Sequence, residues 1–280
     1  MKKLKLFAIA FTGVIVLGIF GCQKKNETPT SSTDQTVAQS TKAQIKSLGF
    51  STASVVKTKG GYIVEGDIFL SEASLAKKAK SQKLTVAKSE QYQTTNTVSD
   101  LPRTVTISVT NLPSVYSDAV DGAIARYNAL GLKIYFQRAS SGSTGDIDVA
   151  GFDSAPNSNG SITLGSSGFP DDSGNPFGTI QMNTNNAAYG SNPNLDYLTS
   201  VVQHEIGHCI GLRHTDYFNR SYSCGYVDAN NDEGQSDVGA IQIPGTPSSE
   251  DPDSFMLACS NGGNRSFNAN DVIALNYLYK

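Results

Sequence analysis

The chain has three histidines in 280 residues, and all of them fall in one short run, "HEIGHCIGLRH", from His204 to His214. The run sits at the end of "NLDYLTSVVQHEIGHCIG", which is long and apolar enough to predict a buried helix begun by Asn192 or Asn194 and ended at Gly211. At about 100° per residue, Leu198, Val202, Ile206 and Cys209 share one stripe, and His204 and His208 lie together on another face. Imidazoles at i and i+4 converge on one point, which is how a helix offers two nitrogens to a zinc ion. Gly211 can take the left-handed conformation that turns a chain back, bringing His214 in as a third ligand.

Three neutral imidazoles leave one zinc position open, the mark of a catalytic rather than a closed structural site. Water held there has its pKa lowered to about 7. Glu205, beside the first ligand on the same helix, is the expected general base, able to return the proton to a leaving amine while zinc stabilises the oxyanion. The competing reading is an inactive surface-binding protein held together by zinc. Such a site has no use for the Glu205 carboxylate.

The spacing His204-Glu205-x-x-His208-x-x-Gly211-x-x-His214 resembles the metzincin zinc signature at every specified position. Met256, in "DSFMLACS", stands where that clan has a methionine turn beneath the metal. "HEIGHCIGLRHTD", "IQIPGTP" and "SFM" are similar to the dual-action HEIGH metallopeptidases, and the resemblance extends back to "GYIVEGDIFL" and about residue 42. It implies a secreted bacterial zinc endopeptidase binding one catalytic ion and acting on extended peptides. Some metzincins place a tyrosine two residues after the turn methionine; here that residue is Ala258, so no tyrosine switch is expected.

The fold expected is α+β (α/β): a metzincin-like catalytic domain with a short mixed sheet, an active-site helix, the methionine turn and a C-terminal helix, behind a small α+β prodomain. The N-terminus has "KKLK", an apolar run from Phe7 to Phe20, and "GIFGC", the anatomy of an export signal too short to span a membrane and ending in a lipobox-like cysteine. The organisation read from the sequence is a lipoprotein signal at 1–21, a polar tether at 22–41, a prosegment-like domain at 42–85, a connector at 86–102 and the catalytic domain at 103–280. In the prosegment, "AQIKSLGF" predicts a short helix, "YIVEGDIFL" a hairpin strand, and "SEASLAKKAK" a second helix opened by Ser71. Further on, "TVTISV", "LKIYFQR", "GDIDVAGF" and "GTIQMN" read as strands and "VYSDAVDGAIARYNAL" as a helix. "GTIQMN" is expected to be the edge strand that pairs with substrate. "FNANDVIALNYLY" predicts a terminal helix with Asn268 as N-cap, Asp271 at N3 and a buried stripe of Val272, Leu275 and Leu278.

Charge argues against a nucleic-acid partner. The chain carries 22 basic and 25 acidic residues, and loss of Lys2, Lys3 and Lys5 with the signal leaves 19 against 25. A monomer is expected. With Cys22 lipidated and Cys209 on the apolar stripe, Cys224 and Cys259 are the pair left to form a disulfide, which export permits although spacing does not give connectivity. The segment 216–253 is expected to wall one side of the cleft. Its "DANND" has calcium-like spacing, but Glu233 stands where an EF-hand loop needs glycine, so a solvated acidic loop is favoured over a Ca2+ site.

No cysteine lies between Cys22 and Cys209, so a thiol cannot supply a latency ligand from the prosegment. Carboxylates also bind zinc, and "YIVEGDIFL" carries Glu65 and Asp67 around Gly66. Asp67 is preferred over Glu65 on reach. If Cys22 carries acyl chains, each buried methylene adds roughly 0.8 kcal/mol of membrane affinity. Cys22→Ser is then expected to move the protein from the membrane to the soluble fraction; a variant still pelleting with membranes would rule out the lipid anchor.

Overall fold

The computed structural model describes residues 37–76, 91–225, 240–247 and 249–280. The expected signal, most of the expected tether, the end of "SEASLAKKAK" and the "DANNDEGQSD" stretch lie outside them.

The N-terminal part begins with α1 (Gln39–Ser47), stopped at Gly49, whose φ of +90° reverses the chain. Three strands follow, β1 (Val56–Thr58), β2 (Gly61–Val64) and β3 (Ile68–Ser71), paired antiparallel in that order, and then α2 (Glu72–Leu75), capped by the Ser71 hydroxyl on the Ser74 amide. "YIVEGDIFL" is therefore not one strand. Glu65 at φ +55° and Gly66 at φ +94° break it into β2 and β3, and the turn between them projects Glu65 and Asp67. Ile45, Phe50, Val64, Ile68, Leu70 and Leu75 form a small core of their own.

The larger part opens with β4 (Tyr92–Gln93) and β5 (Arg103–Thr110), the latter alternating so that Val105 and Ile107 face the core. Next comes α3 (Ser114–Asn128), which buries Tyr116, Ala119, Val120, Ala123 and Tyr127, an i, i+3, i+4, i+7, i+11 stripe of helical period. The remaining strands are β6 (Ile134–Arg138), β7 (Ile147–Phe152), β8 (Gly165–Ser166) and β9 (Thr179–Asn183). They form a five-stranded sheet in the order β6-β5-β7-β9-β8, parallel except for β8. The "GTIQMN" strand, β9, is thus not an edge: β7 flanks it on one side and β8 on the other. The two-residue β8 is the outermost strand.

After α4 (Asn186–Tyr189) comes α5 (Leu195–Cys209), capped by the Asn194 side chain on the Tyr197 amide, which decides between the two candidate caps. α3 and α5 pack on the sheet and on each other; a Cβ at Gly122 would lie 3.0 Å from Thr199. α6 (Ser221–Cys224), β10 (Ile241–Gln242) and α7 (Ala269–Tyr279) complete the chain. α7 has the expected capping box of Asn268 and Asp271, but its buried residues are Asp271, Ala274, Leu275 and Tyr279; Val272 and Leu278 are only half-buried. The Tyr279 hydroxyl donates to the Ile210 carbonyl and accepts from the Val98 amide, pinning the C-terminus to the end of α5.

Residues 91–102, expected as connector, are built into the larger part. β4 pairs antiparallel with β10, Thr94 donates to the Gly211 carbonyl at 2.8 Å, and the Arg213 amide donates to the Tyr92 carbonyl at 2.9 Å. Met256 lies fully buried under α5, where a Cβ on Gly207 would stand 2.5 Å from its sulfur and 3.1 Å from Phe255. Gly207→Ala should therefore lower the thermal midpoint despite alanine's better helix propensity, since overpacking costs about 1–3 kcal/mol. An unchanged or raised midpoint in a melting curve would show that the methionine turn yields freely.

Candidate metal centre

α5 carries His204 and His208 one turn apart and ends on a Schellman motif: the Gly211 amide donates to the His208 carbonyl and the Leu212 amide to that of Gly207. Gly211 has φ +109°, and a Cβ there would meet the Asn96 carbonyl at 2.8 Å, so conformation and space both require glycine. The reversed chain brings His214 back so that its Nε2 lies 3.2 Å from His208 Nε2.

The rings are fixed from behind. His204 Nδ1 donates to the Phe255 carbonyl and His208 Nδ1 to that of Leu212, each at 2.8 Å. With the proton on Nδ1, Nε2 of both rings carries a lone pair. His204 and His214 face the same point, with ring centroids 5.3 Å apart. Burial, with repulsion from His204 and His214, holds His208 well below its usual pKa despite Asp67 nearby, so it is neutral as a ligand must be.

The fourth group is the Asp67 carboxylate, reaching in from the β2–β3 turn. Its Oδ2 lies 3.1 Å from His214 Nε2 and 3.4 Å from His204 Nε2, and its Oδ1 4.0 Å from His208 Nε2. The donor atoms of Asp67, His204, His208 and His214 all lie within 4.8 Å of one another. Burial alone would raise the Asp67 carboxyl, but the facing histidines, His214 first, bring it well below the carboxylate range. His204 Nε2 and Asp67 Oδ1 are buried without a hydrogen-bond partner. Lone-pair nitrogens and a carboxylate turned on one point are a donor set suited to a divalent cation, and three nitrogens with one oxygen is a zinc set. Glu65 does not join the cluster. Its Oε2 accepts from Arg213 Nη2 at 2.8 Å and its Oε1 from the Ser51 amide at 3.0 Å.

Glu205 lies buried on the sheet side of α5. Its Oε2 accepts from the Ser167 hydroxyl at 2.7 Å, and a Cβ on Gly165 of β8 would stand 2.7 Å from Oε1, so glycine there makes room for the carboxylate. Burial, then repulsion by Asp67, pushes the Glu205 carboxyl well above its usual value against the opposing pull of Ser167 and His214.

Support comes from residues that sequence reasoning gave no part in the site. Asp271 accepts from Gln91 Nε2 at 2.6 Å, from the Ser254 hydroxyl at 3.0 Å and from the Phe255 amide at 3.3 Å, so the cap of α7 also holds the methionine turn whose Phe255 carbonyl orients His204. Its burial raises its pKa to about 6 against those bonds. Only the Asn268–Asp271 capping pattern was visible beforehand. Asp216 Oδ1 accepts from the Ala258 amide, and Cys224 and Cys259 are joined by a disulfide. Cys209 is free and buried. Cys22 and the calcium-like "DANND" lie outside the described residues, and nothing supports a calcium site.

The chain matches, over residues 62–279, the family described as dual-action HEIGH metallo-peptidase. No curated protein sequence matches it. Solved structures similar to it include one of myroilysin, with 18% identity over 66% of this chain and 96% of that one, at a TM-score of 0.41. Another structure of myroilysin has 20% identity over 72% and 98%, at 0.38. High choriolytic enzyme 1, a hatching-enzyme zinc protease from the medaka fish Oryzias latipes, has 13% identity over 62% and 88%, at 0.39.

His214→Ala should weaken zinc retention by more than the roughly tenfold to hundredfold that loss of a supporting hydrogen bond costs. Titration against a chelator measures this, and unchanged affinity would remove His214 from the ligand set.

Proposed function

Because the chain belongs to the dual-action HEIGH metallopeptidases and is a zinc metalloendopeptidase, its converging imidazoles have a reaction to serve, and we propose that it is an exported, lipid-anchored enzyme held latent by Asp67. In this reading His204, His208 and His214 hold one zinc ion and Glu205 is the general base. The carrying observation is the Asp67 carboxylate, which faces three ring nitrogens from a turn of the prosegment.

When bound, zinc supplies a Lewis acid that acidifies water and draws charge from a carbonyl oxygen. The rest falls to the chain. The Nδ1 bonds to Phe255 and Leu212 hold two rings in the tautomer that presents a lone pair forward. Ser167 steadies the Glu205 carboxylate, which accepts a proton from the attacking water and delivers it to the leaving amine. A carboxyl held above its ordinary pKa is suited to give the proton back. Ser167, next to the outermost strand β8, offers its amide and carbonyl to an extended peptide. In the uncut chain the prosegment takes both: the Ser167 amide donates to the Asp67 carbonyl at 3.0 Å, and the Phe69 amide to the Ser167 carbonyl at 2.7 Å. The substrate's pairing partner is therefore the β8 edge. Residues 42–85 act as the inhibitory prosegment, and export with acylation at Cys22 rests on the N-terminal sequence.

In peptide-hydrolysis assays, cleavage within "VAKSE", ahead of the residues from Gln91 on that are built into the larger part, should raise activity, and Asp67→Ala should make the uncut chain active. An uncut wild-type chain as active as the cut one sinks the latency. Glu205→Ala should keep about one zinc ion per chain and lose hydrolysis by roughly 10²–10⁴-fold, the ordinary worth of a general base. Substantial residual turnover would take Glu205 out of that role.

A further inference from the structure

We infer that Arg213 is the floor of a substrate subsite selective for an acidic side chain, and that Glu65 occupies this subsite in the uncut chain. The inference rests on the proposed displacement of the prosegment from the cleft.

Arg213 stands in the loop between Gly211 and His214, immediately before the third imidazole, and is among the bulkiest fully buried side chains of the described residues. Burying a guanidinium is costly unless its charge is met. Here Glu65 Oε2 meets it at 2.8 Å, the Gly49 carbonyl lies 3.4 Å from Nη1, and the Phe50 ring lies 4.6 Å from the guanidinium carbon. Gly49, Phe50 and Glu65 all belong to the prosegment. Tyr217, 5.6 Å away, belongs to the catalytic part and stays when the prosegment leaves.

The strand that follows Glu65 runs along the outer edge of the sheet. Asp67 and Phe69 pair with Ser167, and the Thr163 hydroxyl donates to the Gly66 carbonyl at 2.8 Å. Glu65 therefore sits in the turn that leads into this paired strand, two residues before the group that faces the imidazoles. It is held at φ +55°, a conformation L-residues with long side chains seldom adopt, so the backbone accepts strain to aim this carboxylate. A second cation lies close by: Nη2 of the buried Arg220 is 3.2 Å from where a Cβ on Gly66 would be. Two guanidinium groups thus border this turn beside the imidazoles. With the prosegment gone, a substrate carboxylate can take the place of the Glu65 carboxylate, and a neutral side chain cannot match its charge.

The test uses the full zinc-loaded chain, cut within residues 86–90, on peptide pairs that differ only in Glu or Gln at each position around the scissile bond. At one position kcat/KM should favour Glu by tenfold or more, in keeping with the roughly 1.5–3 kcal/mol of a hydrogen bond to a charged group. That ratio should fall to about one in Arg213→Gln, invert in Arg213→Glu, and survive in part in Arg213→Lys. Zinc content is measured for each variant, so a lost metal is not mistaken for lost selectivity. Absence of a preference at every position, or its survival in Arg213→Gln, overturns the proposal. Should the variants fail to fold, a peptide of residues 62–69 is tested as an inhibitor of the cut wild-type enzyme, and its Glu65→Gln form should bind at least tenfold more weakly. Equal inhibition by the two peptides also overturns it. An uncut chain that is already active contradicts the latency alone, because the same ratios can then be measured without cutting.

Discussion

Three imidazole nitrogens turned toward one point repel one another unless a cation sits between them, and much of this structure is the frame that holds them there. Two of the rings are tied through Nδ1 to backbone carbonyls, Phe255 for His204 and Leu212 for His208. Those carbonyls are held in turn. Phe255 lies in the methionine turn, anchored by Asp271 at the start of α7, and Leu212 lies in the loop clamped by residues 92–94. Elements far apart in the chain therefore converge on ring orientation, which is what a preorganised metal site requires.

The β2–β3 turn meets that site with two carboxylates. Asp67 faces the imidazoles and Glu65 faces Arg213, and the left-handed residues Glu65 and Gly66 set the two side chains on their separate targets. Asp67 faces nitrogens that suit a cation and Glu65 pairs with a buried guanidinium, so one short turn serves both places. Backbone pairing with Ser167 adds register, which keeps both contacts in place together.

Much of this was legible in the chain. The histidine spacing, Gly211 and the apolar stripe of α5 are local, periodic features, and periodicity survives any tertiary arrangement. The α7 capping box was readable for the same reason, since Asn268 and Asp271 are three residues apart. "YIVEGDIFL" was misread as continuous because alternation cannot reveal a glutamate at positive φ. "GTIQMN" was misread as an edge because strand order is a long-range property, and a two-residue strand such as β8 has no sequence signal. The polar stretch 91–102 looked like a connector, yet Gln91 and Tyr92 are buried because partners from residues 241–243, Arg213 and Asp271 satisfy their polar groups.

By itself, then, the sequence determined the chemistry on offer: His204 and His208 one helical turn apart, a glycine able to return His214, and a carboxylate beside the first ligand. These follow from helix geometry and from glycine's freedom at positive φ, which need no neighbours. Only the tertiary structure gave Asp67 and Glu65 their different partners. That pairing depends on a β2–β3 turn meeting a loop more than a hundred residues away. No local pattern encodes such a meeting, because it is set by how two separate cores pack around one buried charge.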